Sequence, residues 1–367
     1  MRVTILDPGL MDAGTHFLEW DLRLVEQLVL LGHTVNICSH VDINPVAKAL
    51  ASAQATLTPL FRVSCYVHPS QLDPIAGDLM LFVEGAAMLA EDLQRVAPSD
   101  LWMWPSFTAW QLYGCSLLET SCNMSACVHQ EPTFNSPNGN IWWRYAFITA
   151  MRAKLRLNFG ATTQALVNDY AGLTSGQRIN RFAVAHDGVR CVRPRARPTR
   201  IGFFGYQRQE KGVEILPWLV PQLIRDGHEV VMHDSGGMVQ VEASDRLTVL
   251  GFVPSLVQEI AKCDLVVTPY FAERYRSRGS GVVWDSIASG VPVIVPDATA
   301  CGAMVRALGA GKTFATPSAD AVYGAIRAAR DDYPAIAKAA CEASKRWLES
   351  EGSRHHAAAM LQRAEPG

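Results

Sequence analysis

Two stretches decide the fold. The first is Ile201-Gly-Phe-Phe-Gly-Tyr-Gln-Arg-Gln-Glu-Lys-Gly212, an apolar strand that runs into a glycine, a basic loop and then a helix. The second is Cys263-Asp-Leu-Val-Val-Thr-Pro-Tyr270, followed by an arginine-rich loop through Arg278-Gly-Ser-Gly281 and then by Val282-Val-Trp-Asp-Ser-Ile-Ala-Ser-Gly-Val-Pro-Val-Ile-Val-Pro-Asp297. Each is a strand, a loop and a helix. Each sets backbone N–H groups and cationic side chains at a helix N-terminus, which suits a bound diphosphate. Two such units in one half of a chain point to a site for a nucleotide sugar.

Outward from these stretches, short apolar strands alternate with amphipathic helices, the pattern of a parallel α/β sheet. In the second half the strands are expected at Ile201–Phe204, Glu229–His233, Leu247–Leu250, Leu265–Thr268 and Val293–Val295, with helices over Val213–Asp226, Leu256–Lys262, Val282–Ser289 and Ala319–Arg330. The first half opens with the strand Val3–Leu6, a polar loop through His16, and a helix whose apolar face is read as Leu18, Leu22, Val25 and Val29. Gly32 ends that helix, and Val35–Cys38 is the next strand. Further strands are expected at Leu101–Trp104, Ala126–His129, Arg156–Phe159 and Phe182–Ala185, with helices over Thr108–Thr120, Trp142–Lys154 and Thr163–Leu173.

The run from Arg190 to Arg200 is rich in Pro and Arg and reads as an interdomain linker. The organisation is therefore a Rossmann-like first domain over 1–188, a Rossmann-like second domain over 189–350, and a helical tail over 351–367 that packs back on the first domain. Trp347 and Leu348 are the expected anchors of the Ala-rich helical stretch after Tyr333, and His355-His356 reads as a solvated helix end. Two doubly wound halves would face a cleft at the carboxyl ends of their strands, where ligands bind.

The 367 residues exceed one ordinary core, which supports two domains. A formal net charge of −2 argues against a nucleic-acid binder, which usually carries a basic excess. No apolar run reaches the roughly 20 residues a membrane span needs. The N-terminus reads as no signal peptide, so the expected compartment is the cytoplasm. Nine cysteines, odd in number and without a Cys-x-x-Cys pair, argue against a zinc site or a disulfide framework and for reduced, buried thiols. No Gly-x-Gly-x-x-Gly fingerprint follows a strand, which counts against a nicotinamide dehydrogenase.

Residues Gly205–Gly212 resemble the segment that opens the C-terminal domain of the retaining glycosyltransferases of family 4, which have the two-domain GT-B fold. Gly205, Glu210, Lys211 and Gly212 match in type and spacing, while Tyr206 stands where the family has arginine. Arg208 is the nearest substitute for that cation. The family's Glu-x7-Glu signature survives by half. Anchored on Ser289-Gly290-Val291-Pro292-Val293, its second acid falls on Asp285 and its first on Ser277, with Glu273 available upstream.

The resemblance implies that Lys211 and Arg208 hold the donor diphosphate and that Asp285 grips the ribose. It implies that Gly279, Ser280, Gly281 and Val282 offer N–H groups to phosphate, and that Gly251-Phe252-Val253-Pro254 contacts the base through Val253. His129, at the end of Ala126–His129, is similar to the histidine that touches the donor sugar. The loop Asp12–His16 stands where the family has a glycine-rich turn facing diphosphate and acceptor, with Gly14 at the turn and Asp12 and His16 beside the acceptor. Ala185-His186-Asp187-Gly188 is similar to the interdomain crossover, which makes His186 a linker residue. Trp142, Trp143, Tyr145 and Phe147, with Arg144 and Arg152, form either a helix core or a surface for the acceptor or a membrane.

The function so implied is metal-independent transfer of a sugar, with retention, from a nucleotide-sugar donor (UDP-, GDP- or another) to a glycan, a lipid-linked acceptor or a small molecule. No cofactor is expected, no Asp-x-Asp motif is present, and the work belongs to the cytoplasm or the inner face of the membrane. The family's front-face mechanism lets the leaving phosphate take the acceptor proton. Tyr206 and Ser277 keep open a non-catalytic relative that binds a nucleotide or a partner, and a nucleotide-sugar epimerase is the third reading.

Overall fold

The computed structural model describes residues 1–13, 16–65, 77–118, 123–134, 136–189, 197–251, 253 and 255–362, without the side chains of 16, 77 and 78. The chain divides into two compact units, Met1–Ala185 with Ser353–Gly367, and His186–Gly352. Each is built on one sheet, and every strand pair in both sheets is parallel.

The first unit holds β1 (Arg2–Asp7), β2 (Thr34–His40), β3 (Thr56–Phe61), β4 (Leu101–Trp104), β5 (Asn123–Val128), β6 (Arg156–Ala161) and β7 (Ile179–Arg181), in the order β3-β2-β1-β4-β5-β6-β7. The second holds β8 (Arg200–Phe203), β9 (Glu229–His233), β10 (Leu247–Leu250), β11 (Leu265–Val267), β12 (Val293–Pro296) and β13 (Gly311–Phe314), in the order β10-β9-β8-β11-β12-β13. In both sheets the strand order reverses beside the first strand of the unit. That is the doubly wound arrangement, which binds ligands outside the carboxyl ends of the strands at the reversal.

Strands buried on both faces read as unbroken apolar runs. Ile201, Phe203, Leu265, Val267 and Ile294 accordingly meet Leu216, Leu219, Val220, Leu223, Val322 and Ile326 from the covering helices in one core. The first unit is richer in aromatics: Trp104, Phe107, Trp143, Phe147, Phe159 and Tyr170 share its larger core.

Several sequence expectations are corrected. Phe182–Ala185 is not a strand. It is buried coil that follows the three-residue edge strand β7. The first helix, His16–Leu30, buries Leu18, Leu24, Val25 and Leu28, whereas Val29 is exposed. The centre of that face is Asp21, fully buried, and a charged residue there hides the true stripe from a hydrophobicity reading.

Burial raises the Asp21 carboxyl well above the usual carboxylate range, and the charge of Asp7 adds to the rise. Asp7 is itself pushed up by burial to about 7, against hydrogen bonds that include one from the Gly9 N–H at 2.8 Å.

His356 is not solvated. It is wholly buried, donates from Nδ1 to the Ala183 carbonyl at 2.7 Å and accepts at Nε2 from Trp20 Nε1 at 3.2 Å. With Ala357 and Met360, it docks the closing helix Ser353–Leu361 into the first unit. Of the two expected tail anchors, Trp347 is buried and Leu348 is exposed.

Most of the expected linker, 190–196, lies outside the described residues, as do Cys122 and Cys191. Cys38, Cys65, Cys115, Cys127, Cys263, Cys301 and Cys341 are free thiols, and all but Cys341 are buried. Among the described residues no helix is long and apolar enough to cross a membrane.

Candidate functional site

The site in the second unit starts where β8 ends. Gly205 has φ +90°, and a Cβ there would stand 2.9 Å from Lys211 Nζ and 3.4 Å from Val282. Glycine therefore lets the lysine ammonium lie against the backbone. Gln209–Lys211 forms a single tight turn closed by Gly212, whose φ is +71° and whose Cβ would overlap the Pro269 carbonyl oxygen at 2.2 Å. The Phe271 N–H donates to the Glu210 carbonyl at 3.0 Å and ties this turn to the segment after β11.

Lys211 is half-buried as a residue, but its ammonium lies deep, 5.6 Å from the centre of the Tyr270 ring. Burial pushes its pKa down to about 8. The positive charges of Arg208 and Arg278 push the same way, against Glu210. Arg278 is a second cation beside this turn. It is buried, its guanidinium lies 4.0 Å over the Tyr275 ring, and Tyr275 stacks on Tyr270 at 4.2 Å. Arg208 is 60% exposed, 3.7 Å from Glu210 and 5.3 Å over the exposed Tyr206 ring. The aromatic face after β11 thus holds Arg278 in a desolvated position, while Arg208 stays at the surface.

The Gly-Ser-Gly turn opens the buried helix Gly281–Ala288. Ser280 is its N-cap residue, but its side chain makes no capping bond and its Oγ lies 3.4 Å from the Tyr270 hydroxyl. A helix N-terminus without a side-chain cap keeps its first-turn donors and the positive end of its dipole for another acceptor. A Cβ on Gly279 would collide with the Trp284 ring at 1.8 Å, and one on Gly281 would come within 3.1 Å of His186 Cε1.

Asp285 lies one turn into that helix and is buried, its Oδ1 2.8 Å from His186 Nδ1. His186 is therefore no mere linker residue. It packs beside Trp284 and receives the Trp347 indole N–H on its carbonyl at 2.6 Å. The pairing spans 99 residues of sequence and leaves no local signal. Ser277 is buried, and Glu273 is exposed on the one-turn helix Ala272–Tyr275. Val253 is half-buried between Phe252 and Pro254, which lie outside the described residues.

Four expected site residues belong to the first unit. His129 donates from Nε2 to the Pro105 carbonyl at 2.6 Å and meets Trp20 edge-on at 4.7 Å. Asp12 accepts from Asn44 Nδ2 at 2.8 Å. Gly14 lies outside the described residues. His16 begins the first helix, and its side chain is likewise outside them. Among the described residues no group of three His, Cys, Asp or Glu side chains could hold a metal ion.

Residues 198–332 match the family model described as glycosyl transferases group 1. Solved structures with the same fold include a glycosyltransferase from Rickettsia africae, 13% identical over 97% of this chain and 96% of that one, with a TM-score of 0.68. Anabaena Alr3699/HepE, solved with UDP-glucose, is 17% identical over 98% and 99% of the two chains, with a TM-score of 0.63. The glycosyltransferase SnogD from Streptomyces nogalater is 18% identical over 97% of each chain, with a TM-score of 0.60. No curated protein matches the chain. The chain has the GT-B glycosyltransferase fold, and its residues 198–332 carry the pattern of the group 1 glycosyl transferases.

Proposed function

We propose that the protein is a retaining, metal-independent glycosyltransferase that moves a sugar from a nucleoside diphosphate donor to an acceptor hydroxyl. The observation that carries this reading is the desolvated Lys211 ammonium, which meets Gly205 on the side where Val282 lies in the first turn of a helix without a side-chain cap. As the bond from the sugar's anomeric carbon to the phosphate oxygen breaks, negative charge grows on the leaving diphosphate. Fixed cations and N–H dipoles aimed at that charge lower the barrier, typically by about 3 kcal/mol for each donor. The acceptor oxygen bonds to the same face of the anomeric carbon, and its proton passes to the departing phosphate oxygen, so no separate base is required.

On this reading Lys211 and Arg278 take the role of the usual lysine and arginine, and Arg208 serves from the rim. Asp285, oriented by His186, accepts from the ribose hydroxyls. Val253 borders the base, while His129 and Glu273 serve the donor sugar. The second unit holds the donor, and the first takes the acceptor through the Asp12–His16 loop. The enzyme works in the cytoplasm or at the inner face of the membrane. Its likeness to Alr3699/HepE makes UDP-glucose the first donor to test.

The experiment is release of nucleoside diphosphate from a panel of sugar nucleotides in EDTA, with the product's anomeric configuration read by NMR. Release in EDTA with retained configuration is expected. Turnover abolished by EDTA and restored by magnesium contradicts the metal-free reading. Tyr206 and Ser277, which stand where the family has an arginine and an acid, favour a non-catalytic nucleotide binder as the second reading. Nucleotide binding with neither transfer nor hydrolysis would establish it.

A further inference from the structure

An aromatic-lined pocket opens in the first unit, beyond the carboxyl ends of β4 and β5. Phe107–Trp110 form one of its walls, Gln130, Glu131, Pro132, Phe134 and Ser136 a second, and the first turn of the helix Gly139–Arg152 a third. Phe82, Phe107, Trp110, Trp142, Trp143 and Tyr170 turn it into an aromatic chamber. Phe82 stacks on Trp142 at 4.8 Å, and Trp143 meets Tyr170 edge-on at 5.0 Å.

Its accessible lining is mostly apolar, with Thr108, Gln130, Glu131, Ser136 and Tyr170 as its polar members. The Thr108 hydroxyl donates to Gln111 at 2.9 Å, and the Tyr170 hydroxyl donates to the Gln130 carbonyl at 3.1 Å. The Trp110 indole N–H, in contrast, is buried without a hydrogen-bond partner. A buried polar group left without a partner is costly. A saccharide carries a hydroxyl on nearly every carbon, and most would lose water here for no partner, at a similar cost each. A flat apolar ring offers what the walls can use, offset and edge-on contacts with other rings. His129, proposed above to serve the donor sugar, directly precedes Gln130 on the cavity wall.

We propose that this cavity binds the acceptor and that the acceptor is a planar aromatic alcohol. The proposal rests on the transferase reading and names its second substrate class. The test is a titration of the protein with 4-methylumbelliferone, followed by calorimetry and by quenching of tryptophan fluorescence. Maltotriose and farnesol are titrated in parallel as a glycan and a chain alcohol. Saturable binding of the umbelliferone is expected, weakened at least tenfold by Trp142→Ala and by Ala109→Phe, the second of which fills the cavity. Failure of the probe to saturate, or full affinity in both variants, overturns the proposal. So does displacement of the probe by maltotriose or farnesol at lower concentration. Thermal stabilisation by nucleoside diphosphates is measured separately. Its absence would count against the transferase reading, whereas absence of probe binding beside intact nucleotide binding would count against the cavity alone.

Discussion

Replacing Lys211 with methionine should stabilise the unliganded protein while abolishing its hold on a diphosphate. The fall of the Lys211 pKa from 10.5 to about 8 corresponds to about 3 kcal/mol of unfavourable burial of the charged form. At pH 7 the lysine is protonated in both the folded and the unfolded chain, so the folded state bears the whole cost. Between about pH 8 and pH 10.5 the unfolded chain binds more protons than the folded one. Stability therefore rises with pH through that window and levels off above it.

Methionine keeps the length and loses the charge, and it forfeits only a contact with the Tyr270 ring worth about 1 kcal/mol. The net gain is about 2 kcal/mol at pH 7, read by urea unfolding. A bound diphosphate restores the lysine's proton. Binding at pH 8 should therefore take up about half a proton, measured by calorimetry in buffers of different ionisation heat. A destabilised Lys211→Met, or nucleotide binding without proton uptake in the wild type, would refute the reasoning.

Asp285→Asn should weaken nucleotide binding through loss of charge-assisted acceptance from ribose hydroxyls, about 1.5–3 kcal/mol per bond; equal affinity by calorimetry assigns Asp285 to packing alone. In the first unit, burial raises the carboxyl pKa values of both Asp7 and Asp21, so the stability they contribute is complete below about pH 4 and declines as pH rises above it, for Asp7 until about 7. Asp21→Asn should flatten that decline between about pH 4 and pH 7, and an unchanged slope in chemical unfolding sinks the idea. His356→Ala leaves the Trp20 indole and the Ala183 carbonyl without their partner and should cost about 2 kcal/mol or more. An unchanged unfolding midpoint would contradict it.

Much of the second unit was legible because its central strands are unbroken apolar runs. β8, β9, β11 and β12 lie where such runs predict them, to within a residue. β13, Gly-Lys-Thr-Phe at a sheet edge and half-exposed, carries no comparable signal. Nor does β7, which the stronger apolar run of Phe182–Ala185 obscured. The motif around Gly205 and Lys211 was readable since its glycines and lysine are fixed by local backbone geometry. The Asp285–His186 pair and the burial of Arg278, with Arg208 left at the surface, were not. Both depend on tertiary packing, the first across the fold and the second on how Tyr270 and Tyr275 stack. Asp21 misled for the opposite reason, since a carboxyl facing the core breaks the rule by which a helix face is read.

The central claim, a diphosphate seat at Lys211 and the Gly281–Ala288 helix, is tested most directly by a crystal structure. UDP, GDP, ADP and TDP would be ranked by thermal shift, and the most stabilising one soaked into the crystal. The account predicts phosphate oxygens within hydrogen-bond distance of Lys211 Nζ and of the first-turn N–H groups of the helix. A diphosphate bound elsewhere, or no stabilisation by any of the four, would contradict it.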